Sequence, residues 1–140
     1  MIKLKKLRED AILPVRKTPG SSGMDLFSPF DFSLYPGQVE VIKLGFAVQI
    51  PIGCEWQIRP RSSFGKKKIL MPNAPGTIDS DFRGEVGVEL LYTGYGHKTI
   101  ERGDSIAQAV LCFVSMEEYE IVDELDNTLR GPGGFGSTGR

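Results

Sequence analysis

Along much of this chain apolar residues return at every second position rather than every third or fourth. Cys54, Trp56 and Ile58 alternate with Glu55, Gln57 and Arg59, and Val86, Val88 and Leu90 stand against Glu85 and Glu89. Phe30, Phe32 and Leu34 alternate with Asp31 and Ser33, while Val39, Val41 and Leu44 stand among Gln38, Glu40 and Lys43. A period of two sends one face to a core and the other to water, which predicts strands. Tyr35-Pro36-Gly37, Pro51-Ile52-Gly53, Thr93-Gly94-Tyr95-Gly96 and Glu101-Arg102-Gly103-Asp104 read as the turns between them. No segment keeps apolar residues at helical spacing long enough for a substantial helix. The local exception is Ser62 to Lys68, where Ser62 or Ser63 can cap a single helical turn. There is no internal repeat. The pattern predicts an all-β, antiparallel sandwich or barrel of about ten short strands.

Composition narrows this further. A length of 140 residues suits one compact domain, and 17 Gly with 9 Pro favour many turns over long helices. A net charge of -1 supplies no overall field for nucleic acid or an anionic membrane, so any anion must be held locally. No apolar run approaches the roughly 20 residues that span a bilayer. Lys3, Lys5, Lys6 and Arg8 open the chain, but no apolar segment follows them as a signal peptide requires. Cys54 and Cys112 are too few for a disulfide scaffold and are expected as buried free thiols in a reducing cytoplasm. Residues 131–140 hold five glycines, a composition with little to bury and much entropy to lose. Such a tail suits plain disorder. It also carries Phe135, Ser137 and Thr138, with Arg130 just before it, the parts of a mobile clamp over a planar phosphorylated ligand.

Candidate chemistry sits in two places. Arg59 to Lys68 contains five basic residues and no acid. If a helical turn begins at Ser62, its free N–H groups join Arg61 and two hydroxyls as a phosphate site; the same composition also suits a solvated basic loop. Gly76-Thr77-Ile78-Asp79-Ser80-Asp81-Phe82-Arg83-Gly84 offers two carboxylates two residues apart. One can serve as a general base while the other forms an ion pair, for instance with Arg83, or both can be turn formers. Spacing alone does not choose. The lone His97, beside Tyr95 and Gly96, is expected as an exposed loop residue, and no cluster resembles a zinc site. Residues 117–126, rich in acids, are expected as a solvated strand and linker.

Five segments in order resemble the trimeric dUTP pyrophosphatase (dUTPase) family. They are Gly20-Ser21-Ser22-Gly23-Met24-Asp25-Leu26-Phe27-Ser28, Pro60-Arg61-Ser62-Ser63, the Gly76 to Gly84 run, Arg102-Gly103-Asp104-Ser105-Ile106-Ala107-Gln108, and Arg130 to Gly139. The resemblance implies a jelly-roll-like distorted β-barrel over residues 1–129 and a flexible Gly-rich arm over 130–140. It implies a homotrimer with active sites between subunits, and hydrolysis of dUTP to dUMP and pyrophosphate, supplying dUMP for dTMP synthesis and keeping uracil out of DNA. Asp79 would activate the water, and Asp25 would hold Mg²⁺ through its water shell. Arg61, Ser62, Ser63 and Gln108 would bind phosphates. The hairpin from Asn73 through Gly76, Thr77, Ile78 and Asp79 would read uracil through backbone groups, Asn73 helping, with Gly87 among the substrate-binding positions. Phe82 would lie against the sugar, leaving a ribose 2′-hydroxyl without a partner at a cost of roughly 1–3 kcal/mol. Arg130 would clamp the terminal phosphate and Phe135, followed by Gly136 and Ser137, would close over the base.

Three positions depart from the commonest family pattern. Phe82 replaces Tyr, Ser63 replaces Gly, and Glu89 is unexpected. The related dCTP deaminases share the fold, use Arg-Ser-Ser and carry a catalytic Glu near this position. They lack the Gly-rich Phe tail, and normally place Arg where this chain has Lys66. A dCTP deaminase, or an enzyme combining both activities, is therefore the alternative reading, and a dUTP-binding protein without catalysis is the non-enzymatic one.

Overall fold

The structure, a computed structural model, describes residues 1–134. The predictions for Phe135, Gly136 and Ser137 lie outside the described residues. Among the described residues there are eleven short strands, one 3-10 turn and no α-helix. The strands, in chain order, are β1 (Lys3–Lys6), β2 (Met24–Phe27), β3 (Phe32–Leu34), β4 (Val39–Lys43), β5 (Phe46–Gln49), β6 (Cys54–Arg59), β7 (Ile69–Leu70), β8 (Gly76–Ile78), β9 (Gly87–Tyr92), β10 (Lys98–Ile100) and β11 (Ser105–Phe113).

They form four antiparallel sheets, ordered β1-β5, β10-β3, β2-β11-β6-β8 and β4-β9-β7. The predicted alternation holds where it was cleanest. Trp56 and Ile58 on β6 and Val88 and Leu90 on β9 are at most 2% exposed. They meet Leu26, Phe46, Ile106 and Phe64 in one continuous core. Burying each such side chain contributes roughly 1.5–3 kcal/mol. His97 is exposed, as expected.

Several expectations fail for identifiable reasons. On β4 the outward residues are Val39 and Val41, while Ile42 is buried. The pairing decides this: Ile42 lies opposite Val88 and Glu40 opposite Leu90, so the inward face of β9 sets the parity of β4. Phe30 falls outside β3 and packs edge-on against Phe32 at 5.9 Å. Leu44 is buried, but in the connection after β4. Cys54 is buried while Cys112 is only half-buried, on the outward side of β11 opposite Glu55. Beyond β11 the acidic stretch contains no strand. Val114 N–H still donates to Gly53 at 2.9 Å, and residues 117–130 are exposed.

Candidate functional site

The outward face of β2-β11-β6-β8 gathers the first group of predicted residues. Register places Asp25 opposite Gln108, and Gln108 opposite Arg59, in one row across three strands. Because paired residues share a face and Leu26, Trp56 and Ile58 point inward, this row points out. Arg61, just past β6, turns back so that its Nε lies 3.8 Å from Asp25 Oδ1 and its Nη1 donates to the Ser105 carbonyl at 3.4 Å. Gln108 Nε2 donates to the Pro60 carbonyl at 3.0 Å. The Asp25 side chain is 13% exposed, and its Oδ2 is buried with no hydrogen-bond partner. An unsatisfied buried carboxylate oxygen is costly, so this atom is set for a donor from outside the chain.

Two glycines shape this site by what they lack. A Cβ on Gly23 would fall 2.7 Å from Gln108 Oε1, so Gly23 is what lets the glutamine amide lie flat. A Cβ on Gly84 would fall 2.5 Å from the end of the Phe82 ring, which folds over that backbone. Both stand inside motifs read from the sequence, but their partners are visible only in three dimensions. Arg59, read from the sequence as part of the basic segment, is engaged along its own strand. It donates to Gln57 Oε1 at 2.9 and 2.6 Å, and Gln57 donates to Glu55 Oε1 at 2.5 Å, a polar ladder along β6.

The Arg61 segment differs from expectation. Its helical turn is a 3-10 turn over Gly65–Lys67 that starts after Phe64, with no side-chain cap. Ser62 and Ser63 therefore do not cap it; they are exposed in the turn before it, and so short a turn brings no appreciable helix dipole to a phosphate. The core residue Phe64, 3% exposed, is the reason: its ring anchors the segment and sets where the turn can begin.

The second group lies at the opposite edge. The expected hairpin is instead a loop from β7 to β8, which belong to different sheets; it carries Asn73, exposed, and Gly76, Thr77 and Ile78 pair with Ile58, Gln57 and Trp56 of β6. Ala74 and Pro75 share a depression of about 380 Å³ with Gln57, Arg59, Pro60 and Gln108. Asp79 follows β8, is exposed, and lines a cleft of about 560 Å³ with Glu55, Ser80 and Asp81. Phe82, 39% exposed, donates its N–H to the Asp79 carbonyl at 3.2 Å. Arg83 makes no ion pair with either aspartate; its Nη1 donates to the Ser80 and Phe82 carbonyls, both at 2.8 Å, which braces the turn instead. Gly87 begins β9, opposite Lys43. Among the described residues, the Arg130 side chain bonds only within its own segment, to the Gly133 carbonyl at 3.0 Å.

An all-β barrel with a mostly buried carboxylate beside an arginine and a glutamine, and an acid-bearing turn beyond β8, has the features of a β-fold nucleotide-handling protein. The dUTPase family model matches residues 9–139, and the chain belongs to that family. A deoxyuridine 5'-triphosphate nucleotidohydrolase from Maricaulis maris is 45% identical over 99% of this chain and 95% of its own length. The protein of that name from Desulfotalea psychrophila is 47% identical over 94% of this chain and 89% of its own. Among solved structures, a mutant dUTPase of Staphylococcus bacteriophage 80alpha with dUpNHpp superposes with a TM-score of 0.93, at 26% identity, covering 100% of this chain and 99% of that one. A mutant dUTPase from phage phi11 of S. aureus, described with a structural Mg(II) ion, gives 0.84 at 25% identity, covering 91% and 99%.

Proposed function

We propose that this protein hydrolyses dUTP to dUMP and pyrophosphate, with water attacking the α-phosphate and Asp79 accepting its proton. The observation that carries the reading is the Asp25–Arg61–Gln108 cluster: a mostly buried carboxylate with one open oxygen, beside a guanidinium and an amide, in a chain of this family. Arg61 and the hydroxyls of Ser62 and Ser63 bind phosphate oxygens, Arg61 being half-buried and therefore less screened than a surface lysine. Gln108 donates to the same chain of phosphates from the next strand. Among the described residues no three of His, Cys, Asp and Glu come together to cage a metal. That suits Mg²⁺, which keeps most of its waters and takes one carboxylate plus substrate phosphates. Waters of such an ion would supply the donors that Asp25 Oδ2 lacks, so the residues present fit it. When bound, the ion neutralises phosphate charge and makes the α-phosphate approachable. The backbone of residues 73–79 reads the uracil edge, Phe82 covers the sugar, and Arg130 with Phe135, Gly136 and Ser137 closes over the nucleotide.

The sheet order also bears on how the site is assembled. Asp25 and Asp79 stand at opposite edges of β2-β11-β6-β8, three strand spacings apart, or roughly 14 Å. The register offsets them by about four residues along the strands, roughly 13 Å more. A separation of roughly 19 Å is long for both to act on one phosphate chain, which supports a working site that joins Asp25 of one subunit to Asp79 of another. The outward row Val39–Leu91–Leu70, with Val39 and Leu70 about half exposed, offers apolar surface for that assembly. We place the enzyme as a homotrimer in the cytoplasm, where its two cysteines remain thiols. It would supply dUMP for dTMP synthesis and keep uracil out of DNA. Its residues 130–140 act as an arm beyond the 1–129 barrel.

Pyrophosphate release tests this directly. dUTP with Mg²⁺ should be cleaved, while dTTP, dCTP and UTP remain nearly inert. Comparable turnover of dTTP would sink the reading, and ammonia release from dCTP would favour the deaminase alternative.

A further inference from the structure

Three consecutive lysines beside the proposed phosphate cluster have no part in it so far. Lys66, Lys67 and Lys68 are all exposed, and among the described residues none of them forms an ion pair with a carboxylate. They are tied to Arg61 by successive turns: Phe64 N–H donates to the Arg61 carbonyl at 3.0 Å, Lys67 N–H to Phe64 at 2.9 Å and Lys68 N–H to Gly65 at 3.1 Å. Each turn spans at most about 7 Å between its ends, so the Lys67 backbone lies within about 14 Å of Arg61. Phe64, locked in the core, keeps this spacing rigid.

Lys68 is the more telling residue. Its φ of 56° is the only positive one for a residue other than glycine among the described residues. The left-handed region disfavours a side chain, and glycine or asparagine is the usual occupant of this position at the end of a helical turn. The backbone itself asks for no side chain here: the Lys68 carbonyl accepts the Thr93 N–H at 2.9 Å and the Thr93 hydroxyl at 3.1 Å, bonds that glycine would keep. The Lys68 ammonium instead stands 5.4 Å from the centre of the Tyr95 ring, which is 91% exposed. A charge is thus held at the molecular rim at a backbone cost, and observed strain of this kind points to function.

We propose that Lys66, Lys67 and Lys68 form an electrostatic steering patch that draws the triphosphate toward Arg61 without holding it in the bound state. The inference rests on the dUTP reading above. The net charge of -1 means that the molecule as a whole does not attract a polyanion, so association speed depends on such a local field. Steering raises association rates and is lost as salt screens it.

The test uses the intact protein with Mg²⁺ and a fluorescent, non-hydrolysable imido analogue of dUTP, mixed rapidly at about 10 mM and about 1 M salt, where the Debye length falls from about 30 to about 3 Å. With Lys66→Gln, Lys67→Gln and Lys68→Gln combined, association at low salt should slow by about 3–10-fold and converge with wild type at high salt. Dissociation should be unchanged. Lys68→Gly alone should slow association about twofold at low salt while Tm holds or rises, since glycine relieves the backbone. Equal association rates at low salt overturn the patch. A change confined to dissociation overturns it too, because the lysines would then hold bound phosphate. A lower Tm for Lys68→Gly with unaltered association would make Lys68 structural and overturn its part. Failure of the wild-type protein to bind the analogue would instead overturn the dUTP reading, and the steering with it.

Discussion

Asp79 sits exposed in a braced turn, and that exposure suits a group that must meet a water molecule and a substrate delivered from elsewhere. Asp79→Asn keeps the shape and removes the proton acceptor. It is expected to slow dUTP cleavage by roughly 10²–10⁴-fold while titration calorimetry still detects binding of the imido analogue. Retention of more than about half the rate would move the base elsewhere, with Asp81 next in line. Gly23→Ala acts through a neighbour: the new methyl must push the Gln108 amide off the Pro60 carbonyl. Displacements of this kind cost up to roughly 10²-fold, so kcat/KM should fall by about 10–100-fold with little change in Tm. Motif order in the sequence picks out Asp25, Arg61, Gln108 and the Asp79 turn. It does not reveal that Arg83 braces backbone carbonyls rather than pairing with an aspartate, because carbonyl acceptors leave no trace in composition.

Strand β6 was legible because its apolar and polar residues alternate without exception, and both of its neighbours accept that parity. β4 was not, since Val39, Val41, Ile42 and Leu44 put apolar residues on both parities, and only pairing with β9 decides which is inside. The 3-10 turn shows the same competition: two serines invite a cap, yet the buried Phe64 dictates where the turn begins. Another element-level feature was invisible in the sequence. Glu85 accepts the Gly45 N–H at 2.7 Å and pairs with Arg8 Nη1 at 2.8 Å, fastening the N-terminal strand to the connection between β4 and β5. Arg8 also bonds Asp10, which together with Glu85 holds its guanidinium still more firmly protonated than usual. Glu85→Ala leaves the buried Gly45 N–H unpaired and should cost about 1–3 kcal/mol in urea unfolding, without changing substrate choice.

At the scale of the whole molecule, the chain carries both groups of residues proposed for the catalytic site but keeps them apart. Asp25 lies on the edge strand β2, with Gln108 and Arg61 beside it, and Asp79 follows the opposite edge strand β8, while among the described residues the Arg130 side chain bonds only to the Gly133 carbonyl. A ten-residue tail can span roughly 30 Å when extended, and the six acids among residues 117–126 leave the preceding stretch exposed and free to run along a second subunit. The central claim is therefore that no subunit works alone. Two inactive proteins test it most directly: one carrying Asp79→Asn with its tail intact, the other keeping Asp79 but ending at Leu129. Refolded together, they should form mixed trimers of the proposed assembly, which native mass spectrometry would detect. Recovery of dUTP cleavage in the mixture is the expected result, since some sites then combine a working Asp79 with a tail from another chain. Mixed trimers that remain inactive would contradict the account, because Asp79 and the tail of each working site would then belong to one chain.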